Sequence, residues 1–199
     1  MFLSLWKGNI MLKKLITSNR SYRRFSENIK VGQETLRKLV DLARLSASAG
    51  NMQPLKFYLS WTPELNAKIF PCLKWARALK NWSGPEAGER PAAYIVILGD
   101  KRIARSFGFD TGIVAQSILL GAVENGLGGC LVASCNRSAM MELLKLDDEM
   151  EIQLVIALGK PSEKVIIDPL QEGGNIEYFR DEQDVHHVPK RSLEEIIIN

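Results

Sequence analysis

The sequence predicts a single three-layer α+β domain in which a β-sheet lies between two layers of helices. Its 199 residues are 46% hydrophobic and 25% charged with a formal net charge of +3, a composition typical of one soluble globular domain. Segments with helical and strand periodicity alternate along the chain. A third observation is the almost wholly apolar stretch 111–125, which predicts a buried helix near the middle.

The first elements are a helix and a strand joined by a loop of small residues. Apolar side chains recur at i, i+3, i+4 and i+7 from Leu36, which predicts an amphipathic helix over 33–45. Small and polar residues at 46–51 predict a loop. Apolar and polar residues then alternate over 55–61, as in a strand buried on one face.

A second helix and the central strand are predicted next. Residues 64–79 favour a helix, and 81–91 are rich in glycine and proline and predict a long loop. The run 92–98 is continuously apolar, which is typical of a strand covered on both faces.

The helix over 111–125 is followed by three more elements. The glycine-rich segment 126–129 predicts its end, with Gly126 as the capping residue. Residues 130–133 and 152–158 predict strands, and 138–144 predicts the helix between them.

The two ends of the chain are assigned differently. Residues 1–10 lack the charge and cleavage pattern of a signal peptide, and we interpret them as an N-terminal extension without function, so that the domain covers 11–199. The polar tail from Ser162 ends in Leu193 and 196–198, which are apolar. These anchors predict a tail wrapped on another surface.

Several kinds of active site are excluded by missing motifs. There is no G-x-G-x-x-G after the first strand, no Walker lysine motif, no H-E-x-x-H and no G-x-S-x-G. The only histidines, His186 and His187, are adjacent and have no companion ligands, so no metal site and no catalytic nucleophile is expected. Three cysteines without C-x-x-C spacing predict reduced thiols in a cytoplasmic protein.

Positive charge is concentrated near the N-terminus. Residues 1–60 hold 11 lysines and arginines against 3 acidic residues, and the remainder holds 15 against 20. Such a bias fits a nucleic acid, an acidic membrane, a phosphorylated ligand or a solvated helix face. Arg20, Ser21, Arg23 and Arg24 favour an anchored phosphate, because guanidinium and hydroxyl groups donate to phosphate oxygens.

Three further groups are candidate ligand contacts. Ser48, Asn51 and Gln53 lie in a loop whose amides both donate and accept, as the pyrimidine ring of a flavin requires, although the same residues suit an ordinary turn. Gly128 and Gly129 would let the backbone approach a ligand closely. The basic pair Lys190 and Arg191 is either solvated or returns to the phosphate.

In this order the motifs resemble the FMN-dependent nitroreductase family over about 16–198. The resemblance rests on four segments: 20–25, 48–54, Asp110-Thr111-Gly112 with Gln116 and 126–129, and 157–161. The chain has Asn19 and Leu55 where many family members have arginine and tryptophan, and the first departure shifts the expected phosphate contacts towards Arg24.

The resemblance implies a nitroreductase-like fold with a central mixed β-sheet and a C-terminal extension that crosses onto the partner in a homodimer. FMN would bind at the dimer interface. It implies that the phosphate is held by Arg20, Ser21 and either Arg23 or Arg24, with Lys190 or Arg191 closing over it. Ser48, Asn51, Gln53 and the backbone of Gly128 and Gly129 would meet the rest of the flavin.

The activity implied is reduction of nitroaromatics, quinones or a related small acceptor by NADH or NADPH, with ping-pong hydride transfer through FMN and no catalytic side chain. The alternative is a flavin-binding protein that sequesters FMN or senses redox state without efficient turnover. Nucleic acid and membrane partners are not expected, because aromatic residues within the basic cluster are limited to Tyr22 and Phe25 and no recognition motif is present.

Overall fold

The computed structural model describes residues 9–79 and 81–199, and most of the expected N-terminal extension, residues 1–8, lies outside them. The helices are α1 (Asn9–Ser18), α2 (Gln33–Arg44), α3 (Pro63–Ile69), α4 (Gly108–Glu124), α5 (Arg137–Leu144) and α6 (Leu193–Ile196). The strands are β1 (Leu55–Ser60), β2 (Ala93–Asp100), β3 (Gly128–Val132), β4 (Met150–Gly159), β5 (Val165–Pro169), β6 (Phe179–Arg180) and β7 (His186–Lys190).

The main sheet has the strand order β1-β2-β4-β3, and its three ladders are antiparallel. Every residue of β2 is buried, which confirms the central strand predicted from its continuous apolar run. The ladder between β2 and β4 shifts register between Ile97 and Leu98.

Helices cover both faces of this sheet. On one face α2 and α4 bury Leu36, Leu39 and Ile118 against β2 and β4. On the other face α3 and α5 bury Ile69 and Met140. The predicted three-layer α+β fold is therefore confirmed.

Parallel pairing enters at the edge and in the tail. The chain before α2 forms an isolated parallel bridge between Ser21 and Gly129 of β3. The tail folds into a second sheet of order β5-β7-β6, in which β5 is parallel to β7 and β6 is antiparallel to it. The sheets of the molecule are thus mixed.

Two predicted segments differ in the structure. The helix predicted over 64–79 ends at Ile69, because Pro71 has no backbone N–H to continue the helical ladder and a 3-10 turn follows instead. The sequence analysis predicted no strands in the tail. Their short, half-exposed residues lack a clear alternation, so periodicity did not predict them.

The end of α4 has the predicted glycine cap. Gly126 has a φ of +68°, in the left-handed region that favours glycine. The amide of Leu127 donates to the carbonyl of Ala122 at 2.8 Å, and that of Gly126 donates to Val123 at 3.0 Å. This Schellman motif turns the chain directly into β3.

We expect Gly129→Ala to lower the free energy of unfolding by about 2 kcal/mol through overpacking. A Cβ at this position would lie 2.7 Å from the backbone oxygen of Ala157 and 2.7 Å from Leu119 Cδ2. Chemical denaturation measures the change. The control is Gly108→Ala in the first turn of α4, where a Cβ meets nothing within 4 Å. Equal stability of the two variants would contradict this account.

Candidate functional site

The arginine-bearing segment 19–25 runs along the outer edge of β3. The amide of Tyr22 donates to the carbonyl of Gly129 at 3.0 Å. Three residues later Phe25 is fully buried, and its ring packs against the backbone of Gly159. The segment is thus fixed at its middle and at its end, and its polar side chains are held beside the sheet.

Arg20 and Ser21 keep hydrogen-bond donors available. One terminal nitrogen of Arg20 donates to the carbonyl of Ile16 at 2.8 Å, while its buried Nε has no partner among the described residues. Burial lowers the pKa of this guanidinium. Ser21 is exposed, and within the described chain no hydrogen bond involves its hydroxyl. The pair therefore has the free donors that an anion requires.

Arg23 is held by the tail. It is buried, its Nη1 lies 3.2 Å from Nε2 of His186, and its guanidinium lies 4.6 Å from the centre of the Tyr178 ring. Because the guanidinium can only donate, Nε2 of His186 must accept. The arginine thus links the first strand-like segment of the chain to the second sheet.

Arg24 points the other way, as consecutive residues in an extended chain do. Its Nε lies 3.2 Å from Glu89, and its Nη1 forms an ion pair with Asp184. The structure therefore does not bring the four predicted phosphate ligands together: Arg20 and Ser21 are free to bind an anion, whereas Arg23 and Arg24 are engaged elsewhere.

A buried glutamate organises these arginines. The carboxylate of Glu163, with 2% of its side chain exposed, accepts hydrogen bonds from the backbone amides of Arg23 and Arg24. It also pairs with Arg180 Nη2 at 2.9 Å. The sequence analysis did not predict this residue, since a lone glutamate in a polar tail gives no signal.

The predicted amide loop is anchored to α4. Ser48 Oγ donates to Asp110 Oδ2 at 2.5 Å and accepts from the amide of Gln53 at 2.9 Å. The amide of Ala49 donates to the second oxygen of Asp110 at 2.8 Å. The hydroxyl of Ser48 is therefore engaged in shaping the loop.

The tip of this loop is strained and exposed. Gly50, Asn51 and Gln53 have φ values of 56°, 54° and 52°, all in the left-handed region. This conformation is costly for a side chain such as that of Gln53, and such strain clusters at ligand sites. The amides of Asn51 and Gln53 contact each other at 3.2 Å and face solvent.

Within one chain the amide loop and the free donors lie at opposite ends of α4. The loop is bonded to Asp110 in the first turn, whereas Arg20 and Ser21 lie beside Gly129, beyond the last turn. From Asp110 to Gly126 the helix rises about 24 Å. Within a single chain the two groups are therefore separated by most of the length of this helix.

The remaining predicted contacts have other surroundings. A Cβ on Gly128 would lie 2.5 Å from the Tyr22 ring, so packing within the chain already requires glycine there. Lys190 is exposed, and Arg191 forms an ion pair with Glu195. Lys190 lies four strand residues, about 13 Å, from the end of β7 that contacts Arg23.

A cavity of about 400 Å³ opens beside Arg23. Its walls are the exposed edge of β3 and the segment that follows α3. They include five residues that the sequence analysis did not identify: Lys74, Trp75, Ala76, Arg77 and Ser134. Ala76 has a φ of +35°, and Trp75 Nε1 is buried without a partner in the described chain. No sequence motif marks this segment, because its shape depends on where α3 ends.

The three cysteines are free thiols, and burial raises the pKa of each. Cys130 is buried as predicted, whereas Cys72 and Cys135 are half-buried. Within residues 9–79 and 81–199, no three histidine, cysteine, aspartate or glutamate side chains are arranged to hold a metal ion. No helix in that part of the chain has the length and apolar character needed to cross a membrane.

The adjacent histidines of β7 have opposite charge preferences. Burial, and next the positive charge of nearby Arg23, lower the pKa of His186 to about 4, which favours the neutral acceptor. His187 has a carboxylate at each ring nitrogen, Asp181 at 3.1 Å and Asp168 at 2.7 Å, and both raise its pKa. His187 stacks on Phe179 with ring centres 4.7 Å apart. The surroundings of the two imidazoles thus favour the neutral form of His186 and the charged form of His187.

Comparison with known proteins gives a consistent result. A model described as the Nitroreductase family matches residues 16–160. A protein of Archaeoglobus fulgidus with the name NADH dehydrogenase/NAD(P)H nitroreductase is 26% identical over 159 residues, which cover 76% of this chain and 86% of that protein.

Solved structures share the fold. A nitroreductase family protein from Streptococcus pneumoniae TIGR4 matches with a TM-score of 0.69 at 18% identity, covering 94% of this chain and 99% of that one. An FMN-dependent nitroreductase from Clostridium difficile R20291 matches with a TM-score of 0.62 at 22% identity, covering 75% and 87%.

We expect the attachment of the tail to weaken on both sides of about pH 6.5. As pH rises through the raised pKa of His187, the ion pairs that are fully present below 6.5 are lost. As pH falls from 6.5 to about 4, the stability from neutral His186 is lost. Protection of the β7 amides against hydrogen exchange, measured from about pH 4.5 to about pH 9, reports both changes.

The variants separate the two effects. His187→Phe should remove the alkaline loss and keep the acidic one, and His186→Phe should do the reverse. The slopes of amide protection against pH are compared, because the pH-independent effect of each substitution on stability does not change a slope. An unchanged alkaline slope in His187→Phe would contradict the assignment.

Proposed function

The chain belongs to the nitroreductase family, and from this premise we propose that it is an FMN-dependent oxidoreductase that uses NADH or NADPH to reduce nitroaromatics, quinones or a related small acceptor. The observation that carries the proposal is the pair of donors at the edge of β3, Arg20 and Ser21, that are left available in the described chain. The FMN dependence of the Clostridium difficile relative and the NAD(P)H in the name of the Archaeoglobus relative support it.

The residues present fit FMN. Arg20 has an unpartnered, buried Nε and open terminal donors, which suits a phosphate, and the exposed hydroxyl of Ser21 adds a further donor. The cavity beside Arg23 offers Trp75 and Tyr178 as aromatic walls for a planar ring. Asn51 and Gln53 supply exposed amides for its polar edge, and Lys190 or Arg191 would close over the phosphate.

When bound, FMN would supply the redox chemistry, taking a hydride from NAD(P)H and reducing the acceptor in a ping-pong sequence. The protein would bind and orient the cofactor and place charge beside it. Arg23 is fixed by His186 and Tyr178 before any ligand arrives, so its positive charge is preorganised at the cavity wall. No side chain is assigned as a nucleophile or a proton donor.

We place the active form in a homodimer, because the two halves of the site lie at opposite ends of α4 in one chain. Exposed apolar side chains supply a surface for a second copy: Phe109 and Ile113 on α4, and Met11, Leu12 and Ile16 on α1. A two-fold axis would bring the loop of each copy to the arginines of the other.

The three free thiols of the chain fit a cytoplasmic location.

The direct test is the visible absorption spectrum after FMN is added and unbound flavin is removed. We expect the protein to retain flavin colour and to lose it anaerobically with NADH or NADPH. Colour that is retained but not lost with either nicotinamide would favour the flavin-binding protein without turnover. No retained colour would contradict the FMN site.

Paired arginine variants locate the phosphate. We expect Arg20→Ala to weaken FMN binding by at least about tenfold, because a charge-assisted hydrogen bond is lost, with little change in folding. Arg24→Ala is the matched control, since that side chain pairs with Glu89 and Asp184. Fluorescence titration with FMN measures both. Equal weakening in the two variants would place the phosphate elsewhere.

The dimer has its own test. Phe109→Asp introduces a charge on a side chain that is 85% exposed in the single chain, so it should leave the fold intact and shift the protein to a monomer. FMN retention should fall with it. Ile176→Asp, also exposed but on the tail, is the control. Analytical ultracentrifugation gives the oligomeric state of both variants, and flavin retention is measured on the same samples. A Phe109→Asp variant that stays dimeric would contradict the proposed interface.

A further inference from the structure

A second cavity lies away from the candidate flavin site. It has a volume of about 430 Å³ and opens between the start of α3, the chain after Phe25 and the beginning of β2. It shares no lining residue with the cavity beside Arg23. Phe70 lines this cavity and Trp75 lines the other, and their ring centres are 5.8 Å apart. An aromatic pair therefore separates the two spaces.

Two polar side chains at this cavity make no side-chain hydrogen bond within the described chain, and one buried atom among them, Nε of Arg90, has no partner there. The guanidinium of Arg90 lies 4.4 Å from the centre of the Phe70 ring and makes no side-chain hydrogen bond or ion pair there, and its Nε is buried. Tyr94, with no exposed surface, has no hydrogen bond to its hydroxyl. Burial raises the pKa of Tyr94, the charge of Arg90 lowers it and the charge of Glu27 raises it.

The other polar side chains are already satisfied or lie at the mouth. Asn66 donates to the carbonyl of Ala92 and accepts from Ser60, both at 2.7 Å. Glu27 accepts from the backbone amides of Gly88 and Arg90. Lys30 and Glu64 are exposed and of opposite charge. Of these side chains, Arg90 and Tyr94 thus keep donors that have no acceptor in the described chain.

We propose that this cavity binds a small aromatic carboxylate, with Arg90 and the Tyr94 hydroxyl donating to its two oxygens. Buried donors without partners are rare in folded proteins, and each calls for an acceptor. A carboxylate supplies two acceptor oxygens and the negative charge that Arg90 lacks. The aromatic walls Phe70 and Trp61 suit a ring, and the volume lies within the range of small-molecule sites.

The probe is 4-fluorobenzoate, observed by fluorine NMR on the full chain with and without added FMN. We expect saturable binding that FMN does not displace, and about tenfold weaker binding of the neutral analogue 4-fluorobenzamide. Arg90→Met should weaken benzoate binding by about tenfold or more, while its apolar stem still covers Phe70. Tyr94→Phe removes only the hydroxyl and should weaken binding several-fold.

The control is Arg77→Met, which removes an exposed arginine at the other cavity. Benzoate binding that persists in Arg90→Met, that is lost in Arg77→Met or that FMN displaces would overturn the proposal, and so would an absence of binding at millimolar probe. Thermal unfolding of each variant shows whether it is folded, and Tyr94→Phe keeps the test valid if Arg90→Met is not. Because no arm needs flavin chemistry, failure here is distinct from failure of the oxidoreductase.

Discussion

The buried carboxylate of Glu163 is the interaction on which the arrangement of the candidate site depends. A carboxylate taken out of water is costly unless several donors surround it. Here the donors are two backbone amides, of Arg23 and Arg24, and the guanidinium of Arg180. One side chain thereby fixes the arginine segment at the edge of β3 and joins it to the second sheet.

The second organising feature is the length of α4. Its first turn anchors the amide loop through Asp110, and its glycine cap delivers the chain into β3 beside Arg20. The same helix buries one face in the core and exposes Phe109 and Ile113 on the other. The proposed dimer is supported by both features of this helix, its separation of the two groups and its exposed apolar surface.

Much of the main sheet and its helices could be predicted because single positions carry strong signals. The apolar run in β2, the spacing of apolar residues in α2 and the glycine after α4 each have one ready structural explanation. The segment beyond Ile69 could not be predicted, since Pro71 and the local packing override a helical composition. Glu163 and Ala76 were missed because their roles depend on residues far away in sequence. The arginine cluster stands out in the sequence, but neighbouring side chains in an extended segment alternate in direction, so its members do not share one role.

The pairing of Arg23 with Tyr178 and His186 has a consequence for synthesis. The chain emerges from the ribosome with its N-terminal residues first, and domains fold as their segments become available. The arginine segment and the main sheet are complete well before β6 and β7 are made. The side chain of Arg23 therefore stays solvated and mobile until the last part of the chain has been synthesised. Its burial is a late event, and a chain that stops short of the tail would leave a cation open to solvent beside an otherwise finished sheet.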